Sequence, residues 1–154
     1  MIHSSIVYCI NVYGCANKTT LAPLIIKQKQ AIRTISKSNY RDHTAPLFVQ
    51  LGILPVLQLI QHSQAKFMHS FHFNKLPISF AETWVTNRSR NPALELRNSD
   101  DLFIPPHRIE LVKRMPLYTF PLSWNSASEE KFNPIQHQYL KSVKNMLLAS
   151  LFHH

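Results

Sequence analysis

Glycine is nearly absent: two occur in 154 residues, beside ten prolines. Few positions can take a positive φ without strain, and many segments must turn or stop at proline. So few glycines cannot build a phosphate-cradling loop, which removes the nucleotide-binding motifs that depend on one. Cysteine is equally sparse. Cys9 and Cys15 are spaced as C-x5-C, which fits neither a zinc ribbon nor a C-x-x-C redox pair. Two cysteines are too few for a disulfide scaffold, so a reducing compartment is expected, with both thiols acting as small buried hydrophobes. No run approaches the ~20 apolar residues of a membrane span. The apolar stretch 6–13 has no Lys or Arg before it and is interrupted by Asn11, which argues against a signal peptide. An intracellular protein, nuclear or cytoplasmic and without a membrane partner, is the expectation. A start that opens directly into an apolar segment reads as a chain cut inside a larger domain.

Acidic charge is the next scarcity. No Asp or Glu precedes Asp42, whereas Lys18, Lys27, Lys29, Arg33, Lys37 and Arg41 all do. Over the whole chain 17 Lys and Arg face 8 Asp and Glu, a formal +9. Such an excess favours polyanionic partners, nucleic acid first; it also serves solubility alone.

What is present is helical periodicity. Residues 3–13 read as a short apolar helix or a buried strand, closed by Gly14. The clearest helix covers 20–36. Leu21, Leu24, Ile25, Ile32 and Ile35 share one arc, and Lys29, Arg33 and Lys37 recur every fourth residue on its flank, with Lys18 near the same row. An apolar stripe inward and a basic stripe outward suits a helix laid along phosphates; ordinary surface helices share the pattern. Residues 45–51 read as a short helix ending at Gly52, and 56–73 as a longer one stopped by Pro77. From 86 to 121 the pattern weakens. Residues 87–92 read as a basic loop, Leu94 and Leu96 as an extended piece, and the prolines as breaks in any long helix. Asn133 and Pro134 read as N-cap and first residue of a last helix carrying Ile135, Tyr139, Val143 and Leu147. The expected fold is mainly α: a helical region 1–85, an irregular proline-broken connection 86–128 and a C-terminal helix in 129–154.

Catalytic chemistry finds no footing. Asp100-Asp101 is the only adjacent pair of aspartates and follows a polar loop, so a solvated turn is expected rather than a metal-binding turn. His69 and His72 stand at i, i+3 without the Glu of a metalloprotease helix, and His153 and His154 close the chain. Ser123 and Ser126 lack the glycines of a nucleophile elbow. Trp124, between Pro121 and a helix, suits either stacking on a base or plugging the core. No metal or cofactor is expected in this chain.

Several segments in order carry a resemblance. They are an apolar stretch ending Tyr13-Gly14, then Gln28-Lys29-Gln30-Ala31-Ile32-Arg33, then Tyr40-Arg41-Asp42-His43-Thr44-Ala45-Pro46-Leu47-Phe48, and later Trp124-Asn125-Ser126 before a helix. In this order they resemble the region after the polymerase core in reverse transcriptases of non-LTR (LINE-type) retrotransposons. The resemblance implies a parent RNA-directed DNA polymerase using Mg²⁺, whose aromatic-x-Asp-Asp turn, palm and fingers would lie upstream of Met1. This chain would be its non-catalytic thumb and downstream region, not an enzyme in isolation. Lys18, Lys29, Arg33, Lys37 and Arg41 would then meet the backbone of a template–primer, a contact blind to sequence. The alternative is a cellular helical module that docks a protein partner.

Overall fold

The apolar spacings described above fold almost wholly as helix. A computed structural model describes residues 2–93, 97–127 and 129–152. The fold is mainly α, 63% helical and without strands among the described residues. The helices are α1 (Ile2–Val7), α2 (Ile10–Tyr13), α3 (Lys18–Ser36), α4 (Thr44–Gln50), α5 (Val56–His72), α6 (Asn87–Arg90), α7 (Pro116–Asn125) and α8 (Gln136–Ala149). None is long and apolar enough to cross a membrane.

The first apolar stretch is helical, not a strand, but it breaks at Cys9, whose φ of 53° is left-handed. Ile6 and Ile10 point inward at i, i+4, and the residue at the break is turned out. Cys9 is therefore exposed and Cys15 half-buried, against the expectation that both are buried.

Helix α3 starts at Lys18, two residues earlier than its spacing indicates, because the Asn17 carbonyl already accepts from Thr20 and Leu21 N–H. Leu21 and Ile32 are buried, but Ile35 is 59% exposed and leaves the expected arc. The residue that completes the arc is polar. Gln28 is 5% exposed; its Nε2 donates to the Leu54 carbonyl at 3.0 Å and its Oε1 accepts from Val56 N–H at 2.9 Å. Pro55 between them has no N–H to offer. One amide thus closes around the proline and supplies an acceptor to the first turn of α5, where helix N–H groups have no partner of their own.

Left-handed residues end the three central helices. Gly52 (φ 61°) ends α4 as expected, with Ile53 N–H donating to Phe48 O at 3.0 Å. Lys37 (φ 52°) ends α3, with Ser38 N–H on Arg33 O at 3.0 Å. Asn74 (φ 51°) ends α5, with Lys75 N–H on Ser70 O at 2.8 Å, so the helix stops before Pro77 is reached.

The stretch 86–121 is more ordered than its prolines suggest. Thr86 Oγ1 accepts from Ser89 N–H at 3.2 Å and starts α6 where a basic loop is expected. Pro116 opens α7, and Pro121 sits inside it. One proline removes one N–H from the ladder, a loss offset here by burying Phe120 and Trp124. The extended piece expected at Leu94 and Leu96 lies outside the described residues. Asn133 Oδ1 accepts from Ile135 N–H at 2.9 Å, forming a turn just before α8, so Pro134 falls outside the helix.

Packing groups the chain into two compact units: Met1–Ser63 with Leu140–His154, and Gln64–Tyr139. These differ from the sequence segments 1–85, 86–128 and 129–154, because the later part of α8 returns to the first unit. There Val143, Leu147 and Leu148 join a core of Ile6, Ile10, Leu21, Leu54, Val56, Leu59 and Ile60. Gly14 is close against it: a Cβ would come within 3.0 Å of Ile60 Cγ2. The second unit has an aromatic core. Phe67 meets Phe80 at 5.6 Å and Phe120 at 5.4 Å edge-on, and Trp84 stacks on Phe120 at 5.9 Å.

Replacing Gln28 with Leu keeps the volume but leaves the Leu54 carbonyl and Val56 N–H without their side-chain partner. The expected loss is about 2–6 kcal/mol in urea unfolding, from ~1–3 kcal/mol per stranded group. Lys37→Gly relieves a left-handed side chain and is expected to raise stability by roughly 0.5–1 kcal/mol. A Gln28→Leu protein as stable as the parent would remove the amide from its assigned role.

Candidate nucleic-acid interface

The uncompensated positive charge is concentrated in one unit. The first unit carries Lys18, Lys27, Lys29, Arg33, Lys37, Arg41, Lys141 and Lys144 against the single acid Asp42, while the second carries nine Lys and Arg against seven acids. All eight cations of the first unit are exposed or half-exposed, and none forms an ion pair among the described residues. Unneutralised charge of one sign projects a field outward.

The five residues expected to meet a backbone fall into two groups. Lys18, Lys29 and Arg33 share a flank of α3, offset from one another by about 20–60° at 100° per residue, and Lys18 and Lys29 are about 16 Å apart along the axis. Lys37 is not the next rung of that row, because its left-handed backbone takes it off the helix. It lines instead an open cleft of ≈ 470 Å³ with Gln30, Arg33, Thr34, Ser38 and Tyr40. Arg33 belongs to both groups and is partly committed: its Nε and Nη2 donate to the Asp42 carbonyl at 3.3 and 3.0 Å, and its guanidinium lies 5.7 Å from the Tyr40 ring centroid. It holds the 37–43 loop as well as presenting charge. Arg41 is exposed on that loop, whose turn is fixed by Asp42 Oδ2 accepting from Asn39 N–H at 2.7 Å. Sequence spacing finds the row on α3. It misses the cleft, whose Tyr40 and Ser38 come from a connection with no periodic signal.

The remaining candidates resolve as structure. Asp100 is exposed and pairs with Arg88 at 3.4 Å, and Asp101 beside it is half-buried. Among the described residues no group of three or more His, Cys, Asp or Glu converges. Trp124 is 5% exposed and plugs the second unit's core. Beside it, Asn125 Nδ2 donates to the Leu102 carbonyl at 2.8 Å and its Oδ1 accepts from Leu102 N–H at 3.0 Å, while Lys131 Nζ caps α7 by donating to the Trp124 carbonyl at 2.9 Å. His69 is fully buried; its Nε2 donates to the Asn133 carbonyl at 2.8 Å and its ring stacks on Tyr139 at 5.2 Å. His72 packs against Trp124 and Phe132 at ring distances of 5.3 and 5.4 Å. Partial burial of its ring, then the neighbouring His69 and Lys131, hold its pKa below the ordinary value.

No family model, curated protein or solved structure matches the chain.

Two outcomes follow from the second unit. The unfolded chain protonates His72 near pH 6.5, the folded chain only at lower pH. Between those values the unfolded state binds more protons, so stability falls as pH drops below about 6.5. Thermal unfolding between pH 7 and 5 is expected to fall less steeply in His72→Gln; parallel profiles would remove His72 as a cause. Trp124→Ala is expected to cost about 3–5 kcal/mol. It should leave nucleic-acid affinity unchanged wherever the protein is folded, as titration with a labelled duplex would show.

Proposed function

We propose that this chain binds nucleic-acid backbone through its first unit without reading sequence, as the non-catalytic, thumb-like C-terminal part of a LINE-type reverse transcriptase would. The carrying observation is the partition of charge: eight exposed or half-exposed cations face one carboxylate in that unit. The order of motifs around Gln28, Tyr40 and Trp124 supports the parentage, and the flank of Lys18, Lys29 and Arg33 supports a contact that follows a phosphate row. In the parent enzyme the palm and fingers would supply the chemistry and its Mg²⁺, with template–primer as the shared ligand.

A second reading rests on a different observation. An open groove of ≈ 600 Å³ is lined by Ile6, Tyr13, Leu24 and Ala31, with Ser5, Lys27 and Gln28. Ile26 and Ile35 are exposed on the same helix that supplies its floor. These favour a cellular helical module that docks a protein partner.

Salt separates the two. Duplex affinity is expected to fall linearly in a plot of log affinity against log salt. Changing Lys18, Lys29 and Lys37 to Gln together should reduce the slope by roughly 2–3, at ~0.9 for each phosphate no longer neutralised. The weakening should be equal for unrelated sequences. Affinity that ignores salt, or falls for one sequence alone, would overturn backbone binding. Arg33 is left intact in this variant because it also holds the 37–43 loop.

A further inference from the structure

We propose that the cleft at the end of α3 takes single-stranded nucleic acid, with a phosphate between Arg33 and Lys37 and an unpaired base on Tyr40. This deepens the backbone-binding reading and rests on it.

The lining of the cleft is suited to an anion joined to a flat ring. Gln30, Thr34 and Ser38 bring polar groups, Arg33 and Lys37 bring charge, and Tyr40 brings the one aromatic surface. Its ≈ 470 Å³ lies within the ~300–1,000 Å³ usual for small-ligand sites. Arg33 is already immobilised by the Asp42 carbonyl, and a guanidinium has five N–H groups, so donors remain in a fixed fork for a phosphate. Little ordering cost is then left for binding. The last carbonyls of α3 would oppose an anion, but those of Arg33 and Thr34 are occupied by Ser38 and Lys37 N–H.

Tyr40 identifies the strand type. It is 78% exposed, and its one ring contact among the described residues is the Arg33 guanidinium. A large aromatic ring this open contributes little to the core. Beside a phosphate site it is a stacking platform, with the cation behind it. In a duplex the bases are stacked on one another and out of reach, so the phosphates alone could engage. A single strand can place one base on the ring while its phosphate enters the cleft. Arg41, next in the chain and exposed, adds charge along the strand's path.

The test is fluorescence anisotropy with the full chain at one low salt concentration. The probes are labelled oligo(dT), oligo(U) and a duplex of equal length, and the variants are Tyr40→Ala and Tyr40→Phe. Expected are tighter binding of both single strands than of duplex, a loss of roughly tenfold for single strands in Tyr40→Ala, no loss for duplex, and recovery in Tyr40→Phe. Equal affinity for strand and duplex, or single-strand affinity that ignores Tyr40→Ala, would overturn the stacking site while leaving backbone binding standing. Absence of binding to every probe would overturn both.

Discussion

The first unit depends on one side-chain amide. Gln28 occupies a core position in α3 and closes on the backbone either side of Pro55, so the start of α5 is fixed against the middle of α3. A leucine there would pack as well and leave two backbone groups wanting; a water would have to enter an otherwise apolar core. Through this contact Leu54 and Val56 reach Leu21, Ile6 and Ile10, and the long basic helix acquires a single orientation with its cations outward. Asn125 repeats the device in the second unit, gripping both backbone groups of Leu102. Both amides act as backbone clamps, each satisfying one N–H and one carbonyl that the local chain leaves without a partner.

The division of labour between the units follows from composition. The second unit buries rings against rings and nearly balances its charge, with Lys131 committed to a helix end and Arg88 to Asp100. The first has an aliphatic core and leaves its cations uncompensated. Arg33 shows how one residue serves both ends: held by a loop carbonyl, it is stiff enough to present a fixed fork, and the loop it holds brings Tyr40 beside it.

Much of the fold was legible in the sequence where one apolar stripe and one terminal signal agreed. Helix α4 with Gly52 and the extent of α5 are of this kind. Legibility failed where a residue acted against its usual type. Lys37, Asn74 and Cys9 take left-handed backbone that glycine usually supplies. Gln28 reads as surface by polarity, although its spacing from Leu21, Leu24, Ile25 and Ile32 places it on the buried arc. In 116–125 two prolines masked a helix whose buried aromatics sustain it. The exposed cations of the candidate interface were legible because charge needs no partner to be seen. The engagement of Arg33 was not, because its partner is a carbonyl nine residues away and any residue type provides one.

The non-contiguous first unit also has a temporal consequence. Its core needs Val143, Leu147 and Leu148, and these follow the whole of Gln64–Tyr139 in the chain. During synthesis the second unit can close while the first still waits for its last helix, with Ile6, Ile10, Leu59 and Ile60 already outside the ribosome and incompletely covered. The basic helix α3 is exposed over that same interval. At the rates of chain elongation the delay lasts seconds, and an excess of cations on an unfinished core is a safeguard, because like charge keeps two such nascent chains apart.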